Sequence, residues 1–194
     1  MAYGFKSLLD KDGAEIKMRG YLDAAGVFHP VHQSEIYSIQ QSQTRPANTT
    51  PYTAGDYIGP AVGAAMQFDI GALGLGAALI VGARLIRNQT TNSTVRFRAI
   101  VHDAALASTP AADNDAHPLL WTNRASRRGW IDFSGALSGF GAGGDSTEWS
   151  GYLSNTQGIA VAPADGIIRA TLLTLDAFTP ESAAISLIEL DLVV

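Results

Sequence analysis

Between Val95 and His102 the chain alternates apolar and polar residues: Val95, Arg96, Phe97, Arg98, Ala99, Ile100, Val101, His102, with Ile100 the one departure. A period of two is the signature of a strand with one face in a core and the other toward water. Upstream, Leu79, Val81, Ala83 and Leu85 share one parity, with Gly82 and Arg84 on the other. Between the two runs lies Asn88-Gln89-Thr90-Thr91-Asn92-Ser93-Thr94, whose Asn and Ser side chains favour turns. The pattern predicts a long antiparallel hairpin over 77–103 that seeds an all-β domain.

Short strands are expected to recur from Tyr52 onward, at 56–58, 66–70, 77–87, 94–103, 128–134, 158–161, 167–176 and 184–193, separated by Gly, Pro, Asn and Asp. That spacing suits a sandwich or barrel rather than alternating strand and helix units. In the last of them Ile188, Leu190 and Leu192 share one face and Glu189 and Asp191 the other. In the preceding one Ile168, Ala170 and Leu172 form a core face, yet Ile167, Leu173 and Leu175 lie opposite and are also apolar. Such a second face packs beneath a loop or against another subunit. Phe97, Val101, Leu172 and Leu190 are the expected core. The stretches 108–118 and 135–150 are expected as long loops.

Residues 1–45 have a different pattern. Turn signals at Lys11-Asp12-Gly13 and Asp23-Ala24-Ala25-Gly26 flank a short strand over 15–22, and Glu35 to Gln41 suits another. No large apolar face emerges, but Phe5, Leu8, Leu9, Tyr21, Phe28 and Tyr37 are spread along a polar segment. A disordered tail usually carries fewer such groups. An arm that orders on a partner can bury them, so the expectation is that this arm, more than the sandwich, grips a partner or a neighbouring copy, with folding back as extra strands the alternative. The expected organisation is an arm or small hairpin unit at 1–45, a Pro- and Thr-rich linker at 46–51 and a β-sandwich at 52–194.

Composition narrows the function. A net charge of −5 argues against a nucleic-acid surface, which needs a basic footprint. Arg124, Arg127 and Arg128 form a small basic cluster that reads as a solvated turn. The chain has no cysteine, so thiolate metal sites and disulfides are ruled out. Its start lacks the apolar run of a signal peptide, and the apolar stretch from Ile70 to Ala83 is shorter than the ~20 residues of a membrane helix.

The apparent motifs have plainer explanations. Gly71-Ala72-Leu73-Gly74-Leu75-Gly76 reverses the Gly spacing of a dinucleotide loop, and Gly139 to Gly144 is followed by no phosphate-binding Lys. His29 and His32 lack further ligands near them. Asp113-Asn114-Asp115 resembles half a calcium loop without its Gly and Glu, so a turn is the default. No nucleophile elbow stands out. No catalytic residue, metal or cofactor is expected, and the chain is expected not to be an enzyme.

From Tyr52 to the C-terminus the chain resembles the jelly-roll head decoration proteins of tailed bacteriophages. The resemblance runs through Tyr52-Thr53-Ala54-Gly55-Asp56-Tyr57-Ile58-Gly59, then Ser108-Thr109-Pro110-Ala111-Ala112-Asp113-Asn114-Asp115, then Gly129-Trp130-Ile131-Asp132-Phe133 and two closing apolar strands. It implies an all-β antiparallel β-sandwich, jelly-roll-like. It also implies a capsid cement protein, made in the host cytoplasm and placed on the exterior of the virion. The partners it implies are the major capsid protein and further copies of the chain, as a homotrimer or another cyclic state, with neither nucleic acid nor membrane. Capsid or subunit contacts would then fall on Phe5, Leu8, Leu9, Tyr21, Phe28, Tyr37, Ile167, Leu173 and Leu175. The alternative is a receptor- or carbohydrate-binding module of a virion fibre, with Trp121, Trp130 and Trp149 as stacking platforms.

Overall fold

The structure, a computed structural model, describes residues 3–9, 15–22, 28–30, 36–89, 94–107, 110–138 and 146–194, with side chains described from residue 36 onward except at 137 and 138. Two compact units divide the chain between Glu35 and Ile36. The first is an antiparallel three-stranded sheet of β1 (Tyr3–Leu9), β2 (Glu15–Leu22) and β3 (Phe28–Pro30). Its register sets Leu8 opposite Ile16, Phe5 opposite Arg19 and Phe28 opposite Leu22. The turns expected at 11–13 and 23–26, His32 and the glycine run 139–144 lie outside the described residues.

The second unit holds β4 (Ile36–Thr44), β5 (Tyr57–Ile58), β6 (Met66–Asp69), β7 (Ala78–Arg87), β8 (Phe97–His102), β9 (Arg127–Ser138), β10 (Thr147–Leu153), β11 (Ile159–Val161), β12 (Ile167–Thr174) and β13 (Ile185–Val193). All pair antiparallel in one sheet of order β4-β13-β7-β10-β9-β8-β12-β5, with β11 on β7 and β6 on β12. This sheet curls into a half-barrel, an all-β sandwich whose inner face is the core. Near its two ends the Gln43 amide donates to the Ile58 carbonyl and joins the first strand to the last.

The inner face follows the alternation. Ile188, Leu190 and Leu192 of β13, Ile168 and Leu172 of β12, and Phe97 and Val101 of β8 are all fully buried. Phe97 meets Trp149 edge-on at 5.1 Å between ring centroids, a favoured aromatic geometry. Trp149 also donates from its indole N–H to the Val95 carbonyl at 2.9 Å, so its one polar atom is satisfied in the core.

Four expectations need correction. The hairpin over 77–103 does not form: β10 and β9 lie between β7 and β8. Alternation fixes which face of a strand is buried, not which strand it pairs with. The core face of β7 also changes parity. A bulge opposite Asp191–Leu192 shifts the register, so Ala78 and Ile80 point inward before it, while Leu85 and Arg87 do so after it. Leu79 and Val81, placed with Ala83 and Leu85 by a strict period of two, turn outward there.

Third, Ile36–Thr44 is not part of an arm. As β4 it pairs with β13 through nine consecutive residues, Ile36 opposite Val193 and Thr44 opposite Ile185. The connector after it is pinned: Arg45 N–H bonds the Ala184 carbonyl, and the Arg45 side chain is buried. Fourth, the stretch expected as a loop over 135–150 is partly strand. β9 runs on to Ser138, and β10 begins at Thr147 with Trp149 fully buried. The alternation of Thr147, Trp149, Gly151 and Leu153 against Glu148, Ser150 and Tyr152 was there to find, masked by the glycines before it.

Candidate functional site: the outer surface and its loop block

The segment Tyr52–Gly59 and the turn at Asp113 are brought together, and each residue of that pairing has a folding task. The Tyr52 hydroxyl donates to Asp113 Oδ1, Arg45 Nη2 lies 3.3 Å from Asp113 Oδ2, and Gly59 N–H donates to Oδ1 at 3.1 Å. Arg45 further donates to Tyr52, to Asn48 and to the Glu181 carbonyl. Burial first, and then the bond to Asp113, drives the Tyr52 phenol well above its usual range. Gly55 sits at φ +95°, a conformation that favours glycine, and Asp56 accepts from both Thr53 N–H and Thr53 Oγ1. Asp113-Asn114-Asp115 is therefore a turn, with Asn114 at φ +68° and the Asp113 carboxylate taken by protein donors.

The outer face is divided. Over β8 and β12 it is covered: Tyr57, Thr171, Ile100, His102 and Leu173 are all buried. Leu173 pairs with Tyr57, whose N–H bonds the Asp115 carbonyl, while Asp56 bridges to Ala116. Burial pushes the Tyr57 phenol up to about 12. Leu173 is thus not part of an open apolar strip, and Ile167 and Leu175 beside it are half-buried.

Over β9 and β10 the outer face is open. Trp130 is 43 % exposed and Tyr152, paired with Asp132, is 61 % exposed. Arg98 binds Asp132 through two bonds of 2.6 and 2.8 Å and lays its guanidinium 5.2 Å from the Trp130 ring. The bond to Asp132 raises the Arg98 pKa, keeping the clamp charged. Trp121, at the start of the 3-10 turn Trp121–Asn123, is 75 % exposed beneath Arg124, 4.2 Å from its ring, with exposed Leu119 nearby in sequence. Trp149, grouped with these as a platform, is instead core. The Arg124, Arg127, Arg128 cluster is likewise split: Arg124 is solvated, Arg128 pairs with Asp103, and Arg127 donates to the Leu120 carbonyl.

Where the ends of β11 and β13 meet the start of β7, a groove of about 540 Å³ is lined by Ala77, Ala78, Ala160, Val161, Ala162 and Val193. A second hollow of about 380 Å³ shares Asp103, Arg128 and Ala162 with it. Among the described residues no three His, Asp or Glu side chains gather as metal ligands would. No helix of the described residues is long and apolar enough to cross a membrane.

The other anticipated contacts divide by region. Tyr37 is half-buried and packs against the core from β4. Phe5, Leu8 and Leu9 fall on β1, Tyr21 on β2 and Phe28 on β3, and their side chains lie outside what is described. The Trp130–Arg98–Asp132–Tyr152 cluster was not anticipated as a unit. Its only sequence signal was outward parity on strands whose neighbours could not be read.

No family model matches the chain, and no curated protein matches it. Among solved structures, a chain of the cryo-EM structure of mud crab dicistrovirus is similar at 14% identity and a TM-score of 0.23, covering 82% of this chain and 68% of that one. A chain from the structure of infectious bursal disease virus, Gt strain, is similar at 12% identity and a TM-score of 0.16, covering 96% of this chain and 50% of that one. Likenesses this low carry no argument about the present fold or its function.

Proposed function

We propose that this chain is a non-catalytic structural protein of a bacteriophage virion that binds the outer face of the capsid and stabilises it. The observation that carries the reading is the open patch on β9 and β10. Trp130, Tyr152 and Arg98 are residue types enriched where interface energy concentrates, and here a rigid sheet and a bidentate ion pair hold them in place. The sequence resemblance to head decoration proteins points the same way. Contacts that are individually weak hold firmly when repeated over a shell. The major capsid protein is the partner, and self-association as a trimer or another cyclic state would raise the number of contacts per copy.

The test is co-sedimentation of the full chain with empty shells of the phage that encodes it. Wild type should pellet with shells, and the Trp130→Ala, Arg98→Ala double variant should pellet at least tenfold less while remaining folded. Equal binding by wild type and variant would move the contact off this face. No binding by wild type would end the capsid reading. The exposure of Trp121 and Trp130 also favours a second reading, carbohydrate binding by aromatic stacking, and glycan-array binding without shell binding would select it.

A further inference from the structure

A partly open hollow of about 10 Å³ lies beneath the segment 110–123, walled by His102, His117, Arg127, Leu106, Pro110 and Leu120 among others. It holds at most about one water, so it is no ligand site. Its chemistry is nevertheless unusual. Two histidines and an arginine meet there with little opposing charge. His117 Nδ1 and Arg127 Nε are buried with no hydrogen-bond partner among the described residues. His102, 3 % exposed, contacts Ser126 Oγ at 3.1 Å through Nδ1. Ser126 gives its hydroxyl proton to the Asn123 carbonyl at 3.0 Å, so it accepts from His102. That fixes the neutral tautomer with the proton on Nδ1 and leaves Nε2 as the atom that would take a second.

The charges around the pair come from every packed element. Strand β9 presents Arg127 and Arg128, β12 presents Arg169 opposite His102, and β8 continues into Asp103. Asp103 is already held by Arg128, and Arg169 by Asp165. The Tyr57 ring, 6.2 Å from His117, is neutral. No free carboxylate among these groups faces the histidines.

We propose that His102 and His117 form a proton-sensitive latch: neutral, they hold the 117–126 segment against β8 and β9, and proton uptake releases it. The latch is a property of the fold and does not depend on the virion reading. Burial first, then Arg127, pushes the His102 pKa down to about 4, and the same two causes lower that of His117. A histidine depressed in the closed state and ordinary in the open one favours closure above pH 6.5 and loses that preference as pH falls toward 4. For His102 alone the opening equilibrium shifts about twentyfold between pH 7 and pH 5 by this linkage. The released segment would carry Leu119 and Trp121, so whatever those side chains touch would be freed with it.

Hydrogen exchange on the full chain, corrected for intrinsic rates, reads the latch directly. Peptides covering 117–126 should lose at least tenfold protection from pH 7 to pH 5 and should stay less protected than those of β12 and β13 at both. The His102→Gln, His117→Gln variant should abolish that difference. Should the variant misfold, ring-carbon NMR titration of wild type decides the matter. Both rings titrating well below 6.5 supports the latch, whereas either ring near or above 6.5 overturns it. Unchanged protection of 117–126 at pH 5, or protection there equal to that of β12 and β13, overturns it as well.

Discussion

Arg45 and Arg87 are both buried, and they are held by opposite means. Arg45 is surrounded by acceptors: the Asp113 carboxylate, the Asn48 carbonyl and side chain, the Glu181 carbonyl and the Tyr52 hydroxyl. Arg87 has no hydrogen-bond partner among the described residues, and its guanidinium lies between the rings of Phe97 at 5.1 Å and Phe178 at 5.4 Å. Desolvation, its largest influence, pulls the Arg87 pKa down to about 10, so it stays charged at neutral pH. The contrast separates two uses of a buried charge. Arg45 is a fastener, joining the end of β4, the Tyr52 segment and the Asp113 turn into one body. Arg87 is a filler whose guanidinium meets aromatic faces instead of acceptors, a contact worth about 2 kcal/mol in a desolvated setting against a desolvation cost of several kcal/mol.

The largest expected loss is at the fastener. Asp113→Ala strands the Arg45 charge and removes acceptors from Tyr52 and Gly59 N–H, and should cost about 3–5 kcal/mol by denaturant unfolding. A loss below 1 kcal/mol would mean the network is decorative. Phe97→Ala opens the core and strips one ring from Arg87, and the expected cost is again about 3–5 kcal/mol. Next comes acid. Because the His102 pKa is lower folded than unfolded, stability is fully present above pH 6.5 and declines toward pH 4, by up to about 3 kcal/mol. Flat unfolding midpoints across that window would contradict the burial of a neutral His102.

Arg87→Met then divides the two arginines. It keeps the volume and removes the unpaired charge, so stability should change by less than about 1 kcal/mol or rise, whereas Arg45→Met should cost several. If both variants behaved alike, the distinction would be void. The smallest effect is at the surface. Arg98→Ala removes a half-exposed pair with Asp132 and should alter stability by about 1 kcal/mol or less, while weakening shell binding.

These cases also mark how far the sequence could be read. The inner faces of β8, β12 and β13 were legible because each strand carries its own alternation, as with Ile188, Leu190 and Leu192. Long-range pairing was not, since nothing in Ala78–Arg87 says that Ile185–Val193 and Thr147–Leu153 will be its neighbours. The bulge near Val81 was hidden too, because a register shift belongs to two strands at once. Arg45 and Asp113 looked like connector and turn. Their role rests on a meeting across 68 residues of chain that composition does not announce. The outer patch of Trp130, Arg98 and Tyr152 was lost for the same reason, being assembled from three strands. The small sheet Tyr3–Pro30 was visible only in part, through the strand expected at Glu15–Leu22.

A cryo-EM map of the intact particle that contains this chain tests most directly where the molecule sits. The expected result is density for the curled sheet on the exterior of the shell, with Trp130, Arg98 and Tyr152 against the major capsid protein or a neighbouring copy. Density at a fibre tip, or a shell-bound molecule whose β9–β10 face is open to solvent, would contradict it.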